Sequence, residues 1–293
     1  MLIHSREELR ENIRKWRNTQ AKIGLVPTMG ALHEGHLSLV RQSLEECDKT
    51  VVSIFVNPIQ FGPGEDFSRY PRTLDADVAL LEKMVGEERD RLIVFSPDAE
   101  TMYSPGFCTH VVVGGPALPL EGEKRPGHFQ GVATVVLKLM LMTQADMAYF
   151  GQKDFQQAAV ILRMVEDLDV PVCVKVCPII REEDGLAMSS RNRYLSPEGR
   201  KQATVLYESL SLAEQLLRAG ERHAPTLERN ILEILHKKYE KEQVNYIERV
   251  DYVNFVDPKT LESVTEIGSS VVILLAVYVD GTRLIDNFFI DNL

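Results

Sequence analysis

The stretch KIGLVPTMGALHEGHLSLVRQSLEECDKTVVSIFVN (residues 22–57) contains two apolar runs separated by an amphipathic segment. The runs at 22–27 and 50–57 predict strands, and the apolar spacing between them predicts a helix over 36–47. Strands that are continuously apolar and are joined through a helix are typical of a parallel sheet covered on both faces. This stretch therefore indicates an α/β fold.

The same alternation continues outward to residue 178. Further strands are predicted over 91–95, 146–150 and 172–178, and further helices over 73–85, 132–142 and 154–168. Two helices and then three strand-like runs follow, at 197–219, 225–240, 247–256, 270–279 and 283–290. We therefore expect a doubly wound parallel sheet of Rossmann-like architecture over 1–180 and a smaller α+β domain over 181–293.

The overall composition disfavours several classes of protein. The 293 residues agree with two domains at roughly 150 residues each. The formal net charge of -10 disfavours a nucleic-acid partner, because phosphate backbones are bound by basic surfaces. The longest apolar run, 271–279, is far shorter than the ~18 residues that span a bilayer, so no membrane partner is expected. Four cysteines without a C-x-x-C motif favour a reducing compartment, and we expect a cytoplasmic protein.

The segment PTMGALHEGH (27–36) carries His33 and His36 in a glycine-rich turn between the first long strand and its helix. Metal, a proton and phosphate are the candidate partners of such imidazoles. Metal ligation is disfavoured, because zinc-protease helices carry two histidines at i and i+4 rather than at i and i+3. A purely structural alternative is that both rings form only local hydrogen bonds.

The position of this turn favours an anion. Ligands of open α/β sheets bind beyond the carboxyl ends of the strands, and a helix N-terminus there offers N–H groups and a positive dipole end. Gly30 and Gly35 permit a close approach of the backbone. The turn matches neither G-x-G-x-x-G nor G-x-x-x-x-G-K-[ST], so nicotinamide and Walker-type sites are poorly supported. Phosphate is therefore the favoured ligand.

A second candidate for phosphate binding is MSSRNRYLS (188–196), in which Ser189, Ser190 and Arg191 offer two hydroxyls and a guanidinium. A helix-capping turn is the alternative, and it accounts for Ser196 and Pro197 but not for 188–191. The histidine pair and this segment resemble the HIGH and KMSKS motifs of adenylyl-transferring enzymes.

Six segments, in order along the chain, resemble the pantoate–β-alanine ligase family. They are VPTMGALHEGH, SIFVNPIQFGPGEDFSRYPRT, RPGHFQGVATVVLKL, GQKDFQQ, DGLAMSSRNRYL and TRLIDN, and together they span nearly the whole chain. The resemblance implies that ATP activates pantoate as an adenylate with release of pyrophosphate, and that β-alanine then forms the amide and releases AMP. It also implies a homodimer and magnesium as a cofactor.

The resemblance implies a role for each matching residue. His36, His33 and Lys153 are expected to be catalytic, with His36 a general acid or charge stabiliser and Lys153 bound to phosphate oxygens. Gln60 and Gln157 are expected to hold pantoate, and Gln60 also β-alanine. ATP is expected to contact Met29, Gly30, Ala31, Leu32, His33, Glu34, Gly35, His36, Gly151, Gln152, Lys153, Asp154, Ile180, Met188, Ser189, Ser190 and Arg191. The smaller domain is expected to close over the active site.

Two positions depart from the family pattern. Gln152 stands where the family has an acid, in GQKD instead of GEKD. The adjacent acids expected after YPRT are split here as Asp75, Ala76 and Asp77. We expect Asp77 to contact magnesium.

Rival functions explain fewer of these residues. A nucleotidyltransferase that moves AMP onto a phosphorylated acceptor would explain the histidines but neither the two glutamines nor the antiparallel C-terminal domain. An aminoacyl-tRNA synthetase is disfavoured by the net charge of -10. A nucleotide-binding module without chemistry is disfavoured because all expected phosphate-binding groups are present.

The loop 114–131, rich in glycine and proline, is expected to face the substrate.

Overall fold

The computed structural model describes residues 1–242 and 247–293, with the side chains of 237–242 excluded. The chain divides into two compact units. The first consists of Met1–Gln152 and Gln156–Pro178, and the second of Lys153–Phe155 and Ile179–Leu293. The assignment of residues 153–155 to the second unit was not predicted from the sequence.

The first unit is built on a parallel sheet of six strands, counted over the described residues, in the order β1-β4-β3-β2-β5-β6. The strands are β1 (Leu2–Ile3), β2 (Ile23–Thr28), β3 (Lys49–Ile54), β4 (Leu92–Phe95), β5 (Met147–Gly151) and β6 (Cys173–Cys177). The helices are α1 (Arg6–Asn18), α2 (Glu34–Glu46), α3 (Leu74–Val85), α4 (Ala99–Met102), α5 (Glu121–Lys124), α6 (His128–Thr143) and α7 (Phe155–Asp167). The two-residue β1 was not predicted, because it is too short to show a periodic pattern.

Apolar side chains cover both faces of this sheet, as the continuous apolar runs predicted. On one face, Ile23 and Leu25 of β2 lie in a cluster with side chains of α1, α6 and α7. On the other face, Val26 of β2 lies in a cluster with side chains of α2 and α3. Successive residues of a strand point to opposite faces, so β2 must be apolar wherever both clusters cover it.

The strand order reverses beside β2, and this reversal determines where a ligand can bind. β2 pairs with β3 on one side and with β5 on the other, with Gly24 opposite Met147 and Leu25 opposite Ala148. The connections that leave the carboxyl ends of β2 and β5 therefore start from neighbouring strands. This is the topological switch point at which doubly wound sheets bind their ligands.

The segment 114–131, expected to be a loop, is partly helical, and this expectation was wrong in part. It contains a 3-10 turn at Gly115–Ala117, helix α5 and the first turn of α6, which begins at His128 rather than at 132. Gly127, at φ +82°, precedes α6 in the left-handed region. Gln156 of α7 holds the segment, since its amide donates to the carbonyls of Pro116 and Pro119 and accepts from the N–H of Glu121.

The second unit has an antiparallel sheet of three strands within the described range, in the order β7-β8-β9. Its elements are α8 (Pro197–Gln202), α9 (Val205–Arg218), α10 (Ala224–Glu242), β7 (Ile247–Val256), β8 (Val271–Val279) and β9 (Thr282–Ile290). The single helix expected over 197–219 is therefore two helices. A parallel sheet followed by a small antiparallel one confirms the predicted fold class. Among the helices of the described part, none is long and apolar enough to cross a membrane.

Candidate active site

The two histidines cap the N-terminus of α2 in a reciprocal pair. His33 is the N-cap residue, and its Nδ1 accepts a hydrogen bond of 3.2 Å from the N–H of Gly35. The Nδ1 atom of His36 accepts from the N–H of His33 at 3.4 Å, and the two ring centroids lie 4.1 Å apart. This is a capping box in which imidazoles take the place of the usual hydroxyl and carboxylate.

The capping contacts determine the tautomer of both rings. Because Nδ1 of each imidazole accepts a backbone N–H, a neutral ring must carry its proton on Nε2. Each Nε2–H is then a hydrogen-bond donor at the positive end of a 13-residue helix. Local hydrogen bonding and anion binding are therefore compatible, because they use different nitrogens of the same rings.

Asp77, the expected magnesium ligand, is turned onto the backbone of the histidine loop. Its Oδ2 accepts from the N–H of Ala31 at 2.9 Å and its Oδ1 from the N–H of Leu32 at 2.8 Å. The Thr73 hydroxyl also donates to Oδ2, at 3.2 Å, and Asp77 is only 3% exposed. These contacts do not support a metal role for Asp77. The exposed Asp75 lies in the same helix turn.

Gln60 lies in a 3-10 turn just after β3, with its side chain held by neighbours. The hydroxyl of Tyr103 donates to Oδ1 of Asn57 at 2.7 Å, and Nδ2 of Asn57 donates to Oε1 of Gln60 at 2.9 Å. The amide nitrogen of Gln60 is therefore on the other side, 3.3 Å from the sulfur of Met29 in the histidine loop. Gln60 thus presents N–H donors, which suit a carboxylate or hydroxyl oxygen.

The backbone of Gln60 is held as firmly as its side chain. A Cβ atom at Gly131 of α6 would lie 2.6 Å from the Cα of Gln60, so only glycine permits this packing. Nδ1 of His128 lies 2.9 Å from the carbonyl oxygen of Gln60 and donates to it, because a carbonyl can only accept. Nε2 of a neutral His128 then accepts from Arg125, at 3.0 Å.

Arg125 connects His128 to the carboxylate of Glu65. Its guanidinium forms two hydrogen bonds of 2.7 Å with Glu65. Burial lowers the pKa of His128 to about 4, and the nearby charge of Arg125 adds to this effect. Burial alone would raise the pKa of Glu65, but the hydrogen bonds and charge of Arg125 outweigh it and hold that pKa below its usual value. His128 is therefore neutral and Glu65 is charged near pH 7.

The two neighbouring glutamines of α7 have different environments. Gln156 is buried at 4% exposure and holds the 116–121 segment, a role that was missed in the sequence. Gln157, expected to bind pantoate, is half-buried. Successive residues of a helix point about 100° apart, so one glutamine can be structural while the other faces a ligand.

Lys153, the expected phosphate-binding lysine, follows β5 in the turn Gln152–Asp154. Its Nζ lies 4.0 Å from a carboxylate oxygen of the exposed Asp154. Its backbone carbonyl accepts a hydrogen bond of 2.9 Å from the amide of Asn287 in β9. Asn287 was missed as a site residue, although it lies in the TRLIDN segment that carried the resemblance.

A hairpin in the second unit brings Ile180 and Met188 together. The N–H of Met188 donates to the carbonyl of Ile180 at 3.0 Å, and Arg181 pairs with Ala187. Ser189 then caps the 3-10 helix Ser190–Tyr194, with its hydroxyl accepting from the N–H of Arg191 at 3.3 Å. The capping alternative is confirmed at Ser196, whose hydroxyl accepts from the N–H of Gly199 at 3.1 Å and caps α8, with Pro197 as its first residue. Ser189, one of the two hydroxyls expected to bind phosphate, also caps a helical turn, and Ser190 is buried.

The chain is similar over nearly its whole length to one group of enzymes. Residues 1–289 match the family model described as Pantoate-beta-alanine ligase. A curated pantothenate synthetase from Acetivibrio thermocellus is 50% identical over 290 residues, which are 99% of this chain and 99% of the relative. The crystal structure of pantothenate synthetase from Thermus thermophilus is 44% identical, has a TM-score of 0.88 and covers 98% of each chain. A pantoate-beta-alanine ligase from Francisella tularensis, complexed with beta-gamma ATP and beta-alanine, is 32% identical, has a TM-score of 0.77 and covers 99% of this chain and 97% of that one.

Proposed function

The chain belongs to the pantoate–β-alanine ligase family and is an ATP-dependent ligase of pantoate and β-alanine, and from this premise we propose a role for each of its site residues. The pantoate carboxylate attacks the α-phosphorus of ATP, which forms pantoyl adenylate and releases pyrophosphate. The amine of β-alanine then attacks the acyl carbon, which forms the amide and releases AMP. The single observation that carries this assignment is the histidine-capped N-terminus of α2 at the switch point of the sheet.

The phosphates of ATP are bound by the loop Met29–His36. The Nε2–H groups of His33 and His36 donate to phosphate oxygens, and His36 stabilises the charge that develops as pyrophosphate leaves. The capping contacts support this role, because they use Nδ1 of each ring as an acceptor and so make Nε2–H the donor of a neutral ring. Lys153 and Arg191 contribute further cations, and the remaining ATP contacts are Gly151, Gln152, Asp154, Ile180 and Met188–Ser190.

Pantoate is held by Gln60 and Gln157. The hydrogen-bonded chain from Tyr103 through Asn57 supports this role, because it fixes the Gln60 amide with its Nε2 toward Met29 of the histidine loop. A neutral amide binds the carboxylate and hydroxyls of pantoate without the tight ion pair that would weaken the nucleophile. Gln60 also contacts β-alanine.

Magnesium accompanies ATP in this proposal, since Mg²⁺ at nucleotide sites is bound largely by phosphate oxygens and water. Asp77 does not fit as its protein ligand, because its carboxylate is only 3% exposed and already accepts from Ala31, Leu32 and Thr73. Within the described residues, no group of three or more His, Cys, Asp or Glu side chains is arranged to hold a metal ion.

A cytoplasmic homodimer is the proposed form of the enzyme. Three apolar side chains of the first unit, Val112, Leu118 and Leu141, are 75%, 67% and 64% exposed, and a second copy could cover such groups. Sedimentation equilibrium at micromolar concentration tests the dimer, and a monomer under those conditions contradicts it.

Isotope transfer tests the reaction and separates it from its rival. Pantoate labelled with ¹⁸O in its carboxylate should transfer one labelled oxygen to AMP, because the attacking oxygen stays on the α-phosphorus. Labelled phosphate with ADP would indicate an acyl phosphate instead. A nucleotidyltransferase would release pyrophosphate and an AMP adduct of its acceptor, with no free AMP.

A further inference from the structure

The loop between β2 and α2 has an unfavourable backbone that a distant side chain stabilises. Gly30 and Ala31 both have positive φ, at +83° and +51°. Glycine adopts this region readily, but alanine does so only at a cost in free energy, because its Cβ atom comes too close to the following carbonyl oxygen. The two N–H groups that follow the turn, of Ala31 and Leu32, both donate to the carboxylate of Asp77.

The contact between loop and carboxylate is close and shielded from water. A Cβ atom at Gly30 would lie 3.1 Å from Oδ2 of Asp77 and 3.0 Å from the side chain of Ile54. Asp77 is 3% exposed, and Ala31 and Leu32 are 0% and 4% exposed. Thr73, the residue before α3, donates its hydroxyl to the same carboxylate. Charge-assisted hydrogen bonds in such surroundings are stronger than those between neutral groups.

The next residue after this turn is His33, the N-cap of α2. The direction in which the chain enters α2 therefore depends on the turn, and the Nδ1 contacts of His33 and His36 depend on that entry. An anionic side chain packed against this loop, as Asp77 is, would repel the phosphates of ATP if it faced them. The carboxylate of Asp77 instead faces backbone donors, and each of its oxygens accepts one of their N–H groups.

We propose that Asp77 is a positioning residue, which holds the Gly30–Leu32 turn in its left-handed conformation and thereby aims His33 and His36 at ATP without touching ATP or magnesium. The proposal rests on the proposed function in one respect, the binding of ATP by the histidine loop. It assigns to Asp77 a role different from the metal contact that its place in the sequence suggested.

Asp77→Asn is the principal test, because it keeps the size of the side chain but removes the charge and turns an NH₂ group toward one backbone donor. The affinity for ATP, measured by calorimetry with and without Mg²⁺, should fall about 10- to 100-fold, the loss expected for one charge-assisted hydrogen bond. KM for β-alanine should change little. Glu82→Gln, which changes an exposed carboxylate of the same helix, is the matched control and should leave ATP affinity unchanged.

A second substitution makes the test specific for the backbone. Ala31→Gly removes the penalty of the left-handed conformation, so it should restore ATP affinity several-fold when combined with Asp77→Asn. It should have a much smaller effect in the parent chain. If Asp77 were a metal ligand, excess Mg²⁺ would restore the variant and Ala31→Gly would not, and that result would overturn the proposal.

Amide hydrogen exchange separates failure of this proposal from failure of the proposed function. In the absence of ATP, exchange at the Ala31 and Leu32 amides should be faster in Asp77→Asn than in the parent. Unchanged exchange overturns the positioning role, whatever the activity. If exchange rises but His33→Ala and His36→Ala bind ATP normally, the positioning role stands and the ATP assignment fails. Thr73→Val is a milder variant for the case in which Asp77→Asn does not fold, and it should shift exchange in the same direction.

Discussion

The side-chain amide of Asn287 donates a hydrogen bond of 2.9 Å to the backbone carbonyl of Lys153, which lies 134 positions earlier in the chain. The neighbouring Asp286 is 2% exposed and accepts two hydrogen bonds from Arg181, at 2.7 and 2.9 Å. Strand β9 therefore fixes the backbone of the lysine to which phosphate binding is assigned. The position of Lys153 depends on a segment at the other end of the chain.

Asn287→Ala should lower the rate of adenylate formation about 10-fold, because one hydrogen bond that orients Lys153 is lost. The measurement is pyrophosphate release under single-turnover conditions, with thermal melting as a check of folding. In a Lys153→Ala background the same substitution should have little further effect. An equal loss in both backgrounds would mean that Asn287 acts independently of Lys153.

His36→Ala should lower the first-step rate roughly 100- to 1000-fold, the usual loss for one preorganised charge-stabilising donor. His36→Asn places an amide oxygen near the position of Nδ1, so it should retain the capping contact and the stability but not the activity. His36→Gln can place an N–H near the position of Nε2 and should retain more activity than the alanine variant. Turnover within a few-fold of the parent in all three variants would contradict the catalytic role.

Gly131→Ala should destabilise the protein by about 1–3 kcal/mol and raise KM for pantoate. Its new methyl group would meet backbone atoms of Ile59 and Gln60 at 2.6–2.7 Å, and these cannot rotate away as a side chain can. Urea unfolding and initial rates at varied pantoate check both effects. Gly114→Ala is the control, because nothing lies within 4 Å of its Cβ position and its φ is -85°.

His128 should make the protein less stable as the pH falls from about 6.5 to about 4. Burial, aided by Arg125, lowers its pKa to about 4 in the folded state, so the unfolded chain takes up a proton first. The stability is present above pH 6.5 and decreases by up to about 3 kcal/mol toward pH 4. His128→Asn should have a smaller slope in this interval, as measured by urea unfolding at several pH values. Equal slopes for parent and variant would show that His128 does not titrate as described.

Pyrophosphate release should precede the arrival of β-alanine. Enzyme mixed with ATP, magnesium and pantoate should release a burst approaching one pyrophosphate per active site and then stall, because the mixed anhydride must be kept from water. Quenched-flow sampling with labelled ATP and added pyrophosphatase checks this order. A burst that appears only with β-alanine present would favour a concerted mechanism.

Much of the fold was determined by local patterns in the sequence. Strand β2 is apolar at every position that its two covered faces require, and α2 repeats its apolar side chains at helical spacing, so both could be predicted to within a few residues. The histidine loop could be placed at a strand end for the same reason. Features of only two or three residues, such as strand β1 and the break between α8 and α9, are too short to show a periodic pattern, and they were missed.

The partners of the site residues were decided only by the tertiary structure. The sequence identified Asp77 and Gln157 by their place in motifs, but not that Asp77 faces the N–H groups of Ala31 and Leu32 or that Gln156 holds the 116–121 segment. The hydrogen bond from the Asn287 amide to the carbonyl of Lys153 could not be predicted from the sequence either. Periodicity reports only whether a position is buried, whereas a hydrogen bond depends on the direction of one side chain and on donors that packing brings from distant parts of the chain.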